Sequence, residues 1–473
     1  FDWRVQHFSS AEADDPALPL IFGAGFVVLA AIHAWNVVRP PQLDGTPTVA
    51  RVLMSIPLYA YLVIIAGTYF LLAEHHWSGQ AIYLHKYIAY PNIYLGIALY
   101  VWTGMLLAET RVANLTFDLL QPWRLSPYIL GWLVAVLSAV PTAYSGASGI
   151  FVIAAGKVIF DRLRASGAPR RVALGATAMS GSLGVVLRPC LIIVLIAALN
   201  KQVTTDALFT QGVNVFLLTS GLYLLFMLFR KGGWSRPASP REALPDVAKA
   251  LRSILPYALI AVVVAGAYRL GFDMHLNEHT AAYVLPAILL GIVLFDRLQG
   301  RFDNLREPLT RATSESTTNA GALLTIMAGS VGFGGIVERS GFMELVPHDY
   351  GSPEATMALL VLVMVAVGMA MDALGAVILV SGTVAPIAYA NGIDPVHFWM
   401  MALVGFELGY LHPPVGLNIL LARQVAGPDA QLENFPEPTF FKRYEHFIVP
   451  CLVVGAALVA VAFVPFLWYP IGP

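Results

Sequence analysis

Three ionisable residues stand deep within apolar stretches, and their types suggest ion and anion chemistry. Arg188 follows Arg171 by 17 residues and precedes Lys201 by 13. Along an unbroken helix those separations are roughly 25 and 20 Å, farther than an arginine side chain can snorkel. A charge at that depth must face protein or water, and by default it marks a functional site. The competing reading is a structural ion pair with Glu407 or Asp372. Glu407 is 13 residues from Asp394 and 16 from Arg423, while Asp372 closes an apolar run that begins after Glu354. Carboxylates so placed suit a hard cation such as Na⁺, or a proton. A guanidinium presents a planar fork that matches a carboxylate anion, which makes Arg188 the expected substrate contact.

Small and helix-breaking residues surround these charges. Ser145, Gly146, Ala147, Ser148 and Gly149 open a stretch too short for two full spans. Such clusters commonly serve close helix packing. At the tip of a re-entrant hairpin, their hydroxyls and free carbonyls would instead face a cavity. Ser180, Gly181, Ser182 and Gly184, followed by Pro189, predict a helix break at matching depth. A second break is predicted at Gly409, His412, Pro413, Pro414 and Gly416. Unwound carbonyls coordinate cations, whereas half-helix N-termini favour anions. His412 is either ligand-facing or a hydrogen-bond anchor. His75, His76 and His85 read as a short interfacial loop beside Trp77 and Tyr83.

The elements that must position these residues are membrane helices. Of 473 residues 58% are hydrophobic and 12% charged, and the mean hydropathy is +0.70; a soluble domain carries about 25% charge. The 28 basic and 29 acidic residues nearly cancel, which excludes a nucleic-acid binder with its basic face, and the apolar composition excludes a disordered chain, which needs polarity. Two cysteines make no disulfide framework, and no Cys/His cluster has zinc spacing. Spans need about 20 mostly apolar residues. They are predicted at 18–38, 51–73, 87–108, 127–144, 171–200, 206–229, 253–270, 280–296, 318–338, 354–371, 396–425 and 445–468, with broken stretches at 145–160 and 372–390. Continuous rather than alternating apolar runs exclude a β-barrel. The interval 230–252 is rich in Lys and Arg and reads as cytoplasmic, with a surface helix from Pro240; 424–441 carries neither and reads as external. Residues 1–17 are too polar for a signal-peptide core, so a segment upstream of Phe1 is expected.

The two halves resemble each other. A single offset of 225 aligns Gly167 with Gly392, Leu183 with Leu408, Gly184 with Gly409 and Pro189 with Pro414. Chance matching in glycine-rich helices is the bland explanation. Charge separates the copies: the first hairpin loop holds Lys157, Arg162, Arg164, Arg170 and Arg171, whereas 382–395 holds only Asp394. The positive-inside rule then places equivalent loops on opposite faces, which makes an inverted-topology repeat of the secondary-transporter kind. The expected division is an extra N-terminal helix in 1–45, a first repeat in 46–229 with its hairpin near 145–165, a linker at 230–252, and a second repeat in 253–473 with its hairpin near 372–390. The fold class is an all-α polytopic membrane protein, elevator-type, with paired re-entrant hairpins and broken helices.

The stretches GMAMDALGAVILVSGTVAPIAYANGIDPVHF and GFELGYLHPPVGLN resemble the large membrane subunit of TRAP (tripartite ATP-independent periplasmic, DctM-like) transporters. YVWTGMLLAETRVANLTFDLL resembles that family's third span, and YSGASG its hairpin tip. The resemblance covers about residues 50–470. It implies a sodium-driven importer of the bacterial inner membrane, with no cofactor beyond the coupling ion. One sodium site would use Ser145, Ser148, Gly184, Leu187 and Pro189, and a second Asp372, Gly409 and the position of His412. The family has Thr where His412 stands, and Pro-Pro where this chain has Arg188-Pro189. Substrate contacts are expected from Arg188, Ser182, Glu407 and Pro414. The implied partners are a periplasmic substrate-binding protein, a DctQ-like small membrane subunit (separate, or fused through residues 1–45), the lipid bilayer and a small organic anion, with no nucleic acid.

Other readings are a stand-alone ion-coupled anion transporter and a membrane enzyme using His412 with Glu407. No metal motif, nucleophile elbow or phosphate loop favours the enzyme. Paired hairpins argue for alternating access over a continuous channel.

Overall fold

A computed structural model describes residues 68, 72, 91–145, 148–230, 237–276, 280–301, 303–317, 321, 351–370, 373–413, 416–430 and 439–467. The expected spans at 18–38, 51–73 and 318–338 fall outside these residues apart from single positions, as do His75, His76, His85, Asp372 and Pro414. All regular elements among the described residues are helical.

The first half comprises α1 (Pro91–Glu109), α2 (Val112–Leu120), α3 (Pro127–Ser145), α4 (Ser148–Ala165), α5 (Arg170–Met179), α6 (Leu191–Leu199) and α7 (Thr205–Leu228). The apolar run at 171–200 is not one helix. It is α5, a 3-10 turn at Leu183–Val186, and α6: Ser180–Ser182 turn out of α5 into the 3-10 turn, and the chain becomes extended at Leu187 and Cys190 before α6. α7 starts where Thr204 accepts a hydrogen bond from the Ala207 N–H at 3.3 Å, with Asp206 in its first turn facing the positive helix end.

The surface helix expected from Pro240 and the span at 253–270 are one continuous element, α8 (Pro240–Phe272). Leu255, Leu259, Val262 and Val263 on it are exposed, the pattern of a helix solvated by lipid. α9 (Ala281–Leu298) follows. The second half holds α10 (Pro353–Ala370), α11 (Ala373–Gly382), α12 (Val384–Ala390), α13 (Pro395–Leu411), α14 (Leu417–Ala426) and α15 (Phe440–Phe463). Pro395 opens α13 and Asp394 caps it, accepting from the His397 N–H at 2.9 Å. Among the described residues, α7, α8, α9 and the Phe440–Leu467 segment are long and apolar enough to cross a bilayer.

Packing follows a grouping different from chain order. α3–α7 share one large core with α10–α15, so both halves contribute to it. A smaller core joins α1, α8 and α9 through Met105, Leu106, Tyr257, Ile288 and Ile292. Within the large core α10 lies against α13 at glycine. A β-carbon on Gly409 would sit 2.6 Å from the Gly368 carbonyl carbon, and one on Gly368 2.6 Å from the Phe406 Cα.

α15 is the ruler for the ends of the molecule. Near its start Glu445 pairs with Arg171 of α5 and with Arg230 beyond α7. Near its end the carbonyls of Val461 and Ala462 accept from His397 Nε2 at 2.8 and 3.1 Å. Those anchor points are roughly 24 Å apart at the helical rise, so the turns at 166–169 and 391–394 lie at opposite ends. The same ruler corrects the sidedness of 424–441. Arg230 stacks on Phe441 at 5.0 Å, within reach of a cation–π contact, so Phe441 at the close of that interval and Arg230 at the opening of 230–252 share one end. The charges that decide the matter, Arg423, Lys442 and Arg443, flank the interval and were missed by its boundaries.

Candidate functional site

The breaks of the two halves meet through side chains. Ser148, at the start of α4, donates to Asn418 Oδ1 at 3.3 Å, and Asn418 Nδ2 donates to Ser182 Oγ at 3.3 Å. Ser182 precedes the 3-10 turn of the first break, and Asn418 lies just past the second break in α14. The hydroxyls of Ser148 and Ser182 also face the carboxylate of Glu407 on α13. All four residues are buried. The result is a chain of neutral oxygens and one carboxylate, drawn from both halves within an apolar core.

Glycine lets the first break pack this closely. A β-carbon on Gly184 would run into the Ala139 carbonyl oxygen of α3 and lie 2.7 Å from Thr142 Cβ. Thr142 fixes the same contact by donating to the Ser180 carbonyl at 3.2 Å. Gly184 is thus held where its backbone is part of the break, and Pro189 and Cys190 are buried beside it while Leu187 is half-buried.

Arg188 corrects the expectation of depth. Its side chain is 54% exposed and pairs with Asp206, with the guanidinium 4.9 Å above the Phe209 ring. Glu407 is not its partner among the described contacts, and Asp372 lies outside the described residues. The estimate of depth assumed an unbroken helix from Arg171; the break at 180–190 turns the chain and delivers Arg188 to an open surface. His412 is exposed, and its ring Nδ1 meets the Pro413 carbonyl rather than the buried cluster. Gly409 serves the α10–α13 contact described above. Ser145 ends α3, next to the cluster in sequence. Asn418 is not among the residues expected from the sequence although it closes the stretch GFELGYLHPPVGLN; the available signal is a polar amide at the second residue of an apolar helix. Among the described residues no group of three His, Cys, Asp or Glu side chains could hold a metal ion, so any cation here would rely on hydroxyl, amide and carbonyl oxygens with single carboxylates.

An all-helical, multi-span architecture with breaks converging in a buried polar cluster defines a membrane transporter fold. The crystal structure of the Alcanivorax borkumensis YdaH transporter is similar in fold, with a TM-score of 0.51 at 14% identity, covering 97% of this chain and 100% of that one. Residues 48–467 match the DctM component of tripartite ATP-independent periplasmic transporters, and the chain belongs to that family. It is similar to the C4-dicarboxylate TRAP transporter large permease protein DctM of Rhodobacter capsulatus, 28% identical over 66% of this chain and 72% of that one. It is also similar to the sialic acid TRAP transporter large permease protein SiaM of Vibrio cholerae, 27% identical over 78% and 83%. The protein is a TRAP large permease subunit, a multi-pass protein of the bacterial inner membrane and a transporter, not an enzyme.

Proposed function

We propose that the chain imports a small organic anion, a carboxylate, by coupling it to sodium entry in an elevator-type cycle. The anion would be received from a periplasmic binding protein, with a DctQ-like small subunit as membrane partner. The observation that carries the reading is the Ser148–Asn418–Ser182–Glu407 cluster, where breaks from both halves converge inside one core. The opposite placement of the 166–169 and 391–394 turns supports the inverted-repeat element of the reading. The core that α1, α8 and α9 build for themselves, which meets the large core along α1 and α4, supports a moving body carried against a scaffold. Both named relatives have anionic substrates, and in each the anion is a carboxylate.

Arg188 is the expected anion contact. It is accessible, its fork is preorganised over Phe209, and Asp206 occupies it with a carboxylate that an incoming substrate would replace. Sodium would be held by Ser145, Ser148 and the carbonyls of Gly184, Leu187 and Pro189, with a second site at Asp372, Gly409 and His412. The test is uptake of labelled C4-dicarboxylates and sialic acid into proteoliposomes, with and without a sodium gradient and the binding protein. Uptake should require both. Uptake that ignores sodium would refute the coupling, and uptake without a binding protein would refute the tripartite cycle. Cysteines at Ser166 and Ala390 should label from opposite faces; labelling from one face would refute the inverted repeat.

A further inference from the structure

A second feature adjoins the polar cluster. A cavity of about 20 Å³ lies between the first break, α7, α13 and α15, and its wall is apolar except for Ser182, Thr219 and Glu407. That volume admits one water or one desolvated monovalent cation. Glu407 is 5% exposed, and its Oε2 is buried without a hydrogen-bond partner. Its polar neighbours are the neutral hydroxyls of Ser148 and Ser182. No Lys, Arg or His side chain forms an ion pair with it among the described residues. An ionised carboxylate in an aliphatic core requires a compensating charge, and here the protein supplies an opening where a side-chain cation would otherwise stand.

We infer that this cavity binds a desolvated sodium ion, with Glu407 as its anionic ligand and the hydroxyl oxygens of Ser182 and Thr219 as neutral ligands. Every polar group on the wall is a hard oxygen, the donor type such an ion takes. Thr219 already donates its proton to the Val215 carbonyl at 2.9 Å, which leaves its lone pairs free to face the ion. The site is separate from the hairpin-tip set, because α7 and α13 contribute the ligands that the tip and first break do not. Occupancy would tie the first break to α7 and α13, and so connect ion binding to the packing of both halves. The inference rests on the sodium-coupled reading above.

The experiment measures equilibrium binding of ²²Na⁺ to the purified membrane complex in nanodiscs, together with the sodium dependence of uptake. Glu407→Gln should lose one bound ion per chain and lower the steepness of the sodium curve. Thr219→Val, which removes one neutral ligand and keeps the charge, should raise the half-saturating sodium concentration of that ion roughly tenfold, the order expected from one lost good ligand contact. Wild-type stoichiometry and an unchanged sodium curve in Glu407→Gln would overturn the site while leaving sodium coupling intact. Wild-type protein that binds no sodium would overturn the coupling reading as well. Should Glu407→Gln fail to fold, an unaltered sodium curve in Thr219→Val overturns the site by itself. Sodium binding unaffected in both variants, with uptake that follows pH instead, would identify a water-filled pocket beside a neutral carboxylic acid and also overturn it.

Discussion

Two glutamates on neighbouring helices are equally hidden and differently answered. Glu445 on α15 is 2% exposed and meets two arginines, one from α5 and one beyond α7, with Arg230 further braced by Phe441. Glu407 on α13 is 5% exposed and meets hydroxyls, an amide neighbour and a cavity. Charge neutralised by covalently attached side chains is a permanent fixture, and it pins three segments at one end of the molecule. Charge left for a diffusible ion can be neutralised or not, and that difference is what an ion-coupled cycle requires.

The comparison makes ordered predictions. The largest effect belongs to Glu445→Gln, which strands two guanidinium groups at a buried point and should cost about 3–5 kcal/mol of stability. A melting curve of the purified protein checks it, and an unchanged midpoint would mean that the triad is idle. The next effect is ligand-dependent. Sodium at about ten times its dissociation constant should stabilise the wild type by about 1.4 kcal/mol for each ion bound; Glu445→Gln should retain the full increment and Glu407→Gln should lose the part due to its ion. Equal increments in all three proteins would erase the contrast between the glutamates. The smallest effect on stability is at Arg188, whose pair with Asp206 is exposed and is worth less than about 1 kcal/mol. Arg188→Lys should therefore melt like the wild type while uptake falls about tenfold, because the charge remains and the two-pronged geometry is lost. Full uptake with unchanged substrate affinity would remove Arg188 from the anion site.

Much of this is legible in the sequence alone. Small residues followed by proline marked both breaks, since membrane helices interrupt where backbone groups find other partners. The distance of Glu407 from Asp394 was legible too, because α13 is continuous from Pro395 to Leu411, whereas the count to Arg423 crosses the second break. The same counting misplaced Arg188, because it was carried across the 180–190 break, where rise per residue no longer measures depth. The partner Asp206 lies in the next helix, and local spacing carries no information about such a contact. Thr219 was invisible for a related reason: a single hydroxyl in an apolar helix usually bonds its own backbone, and only tertiary packing turns it toward a cavity, whereas the amide of Asn418 stood out by type and only its partners were hidden. The sidedness of 424–441 failed at its margins, where three basic residues stood just outside the counted window.

The contact between α10 and α13 constrains more than packing. Gly368 and Gly409 each face the backbone of the opposite helix, so even alanine at either position demands that a helix axis move. The seam cannot be relieved by changing one side alone, since the obstruction is main chain and carries no side chain to shorten. Chimeras that exchange 353–370 between family members without 395–411 should therefore express poorly, whereas transfer of the two segments as one cassette should preserve the fold. In such a protein the natural unit of recombination is the helix pair, although 24 residues of unrelated sequence lie between its members.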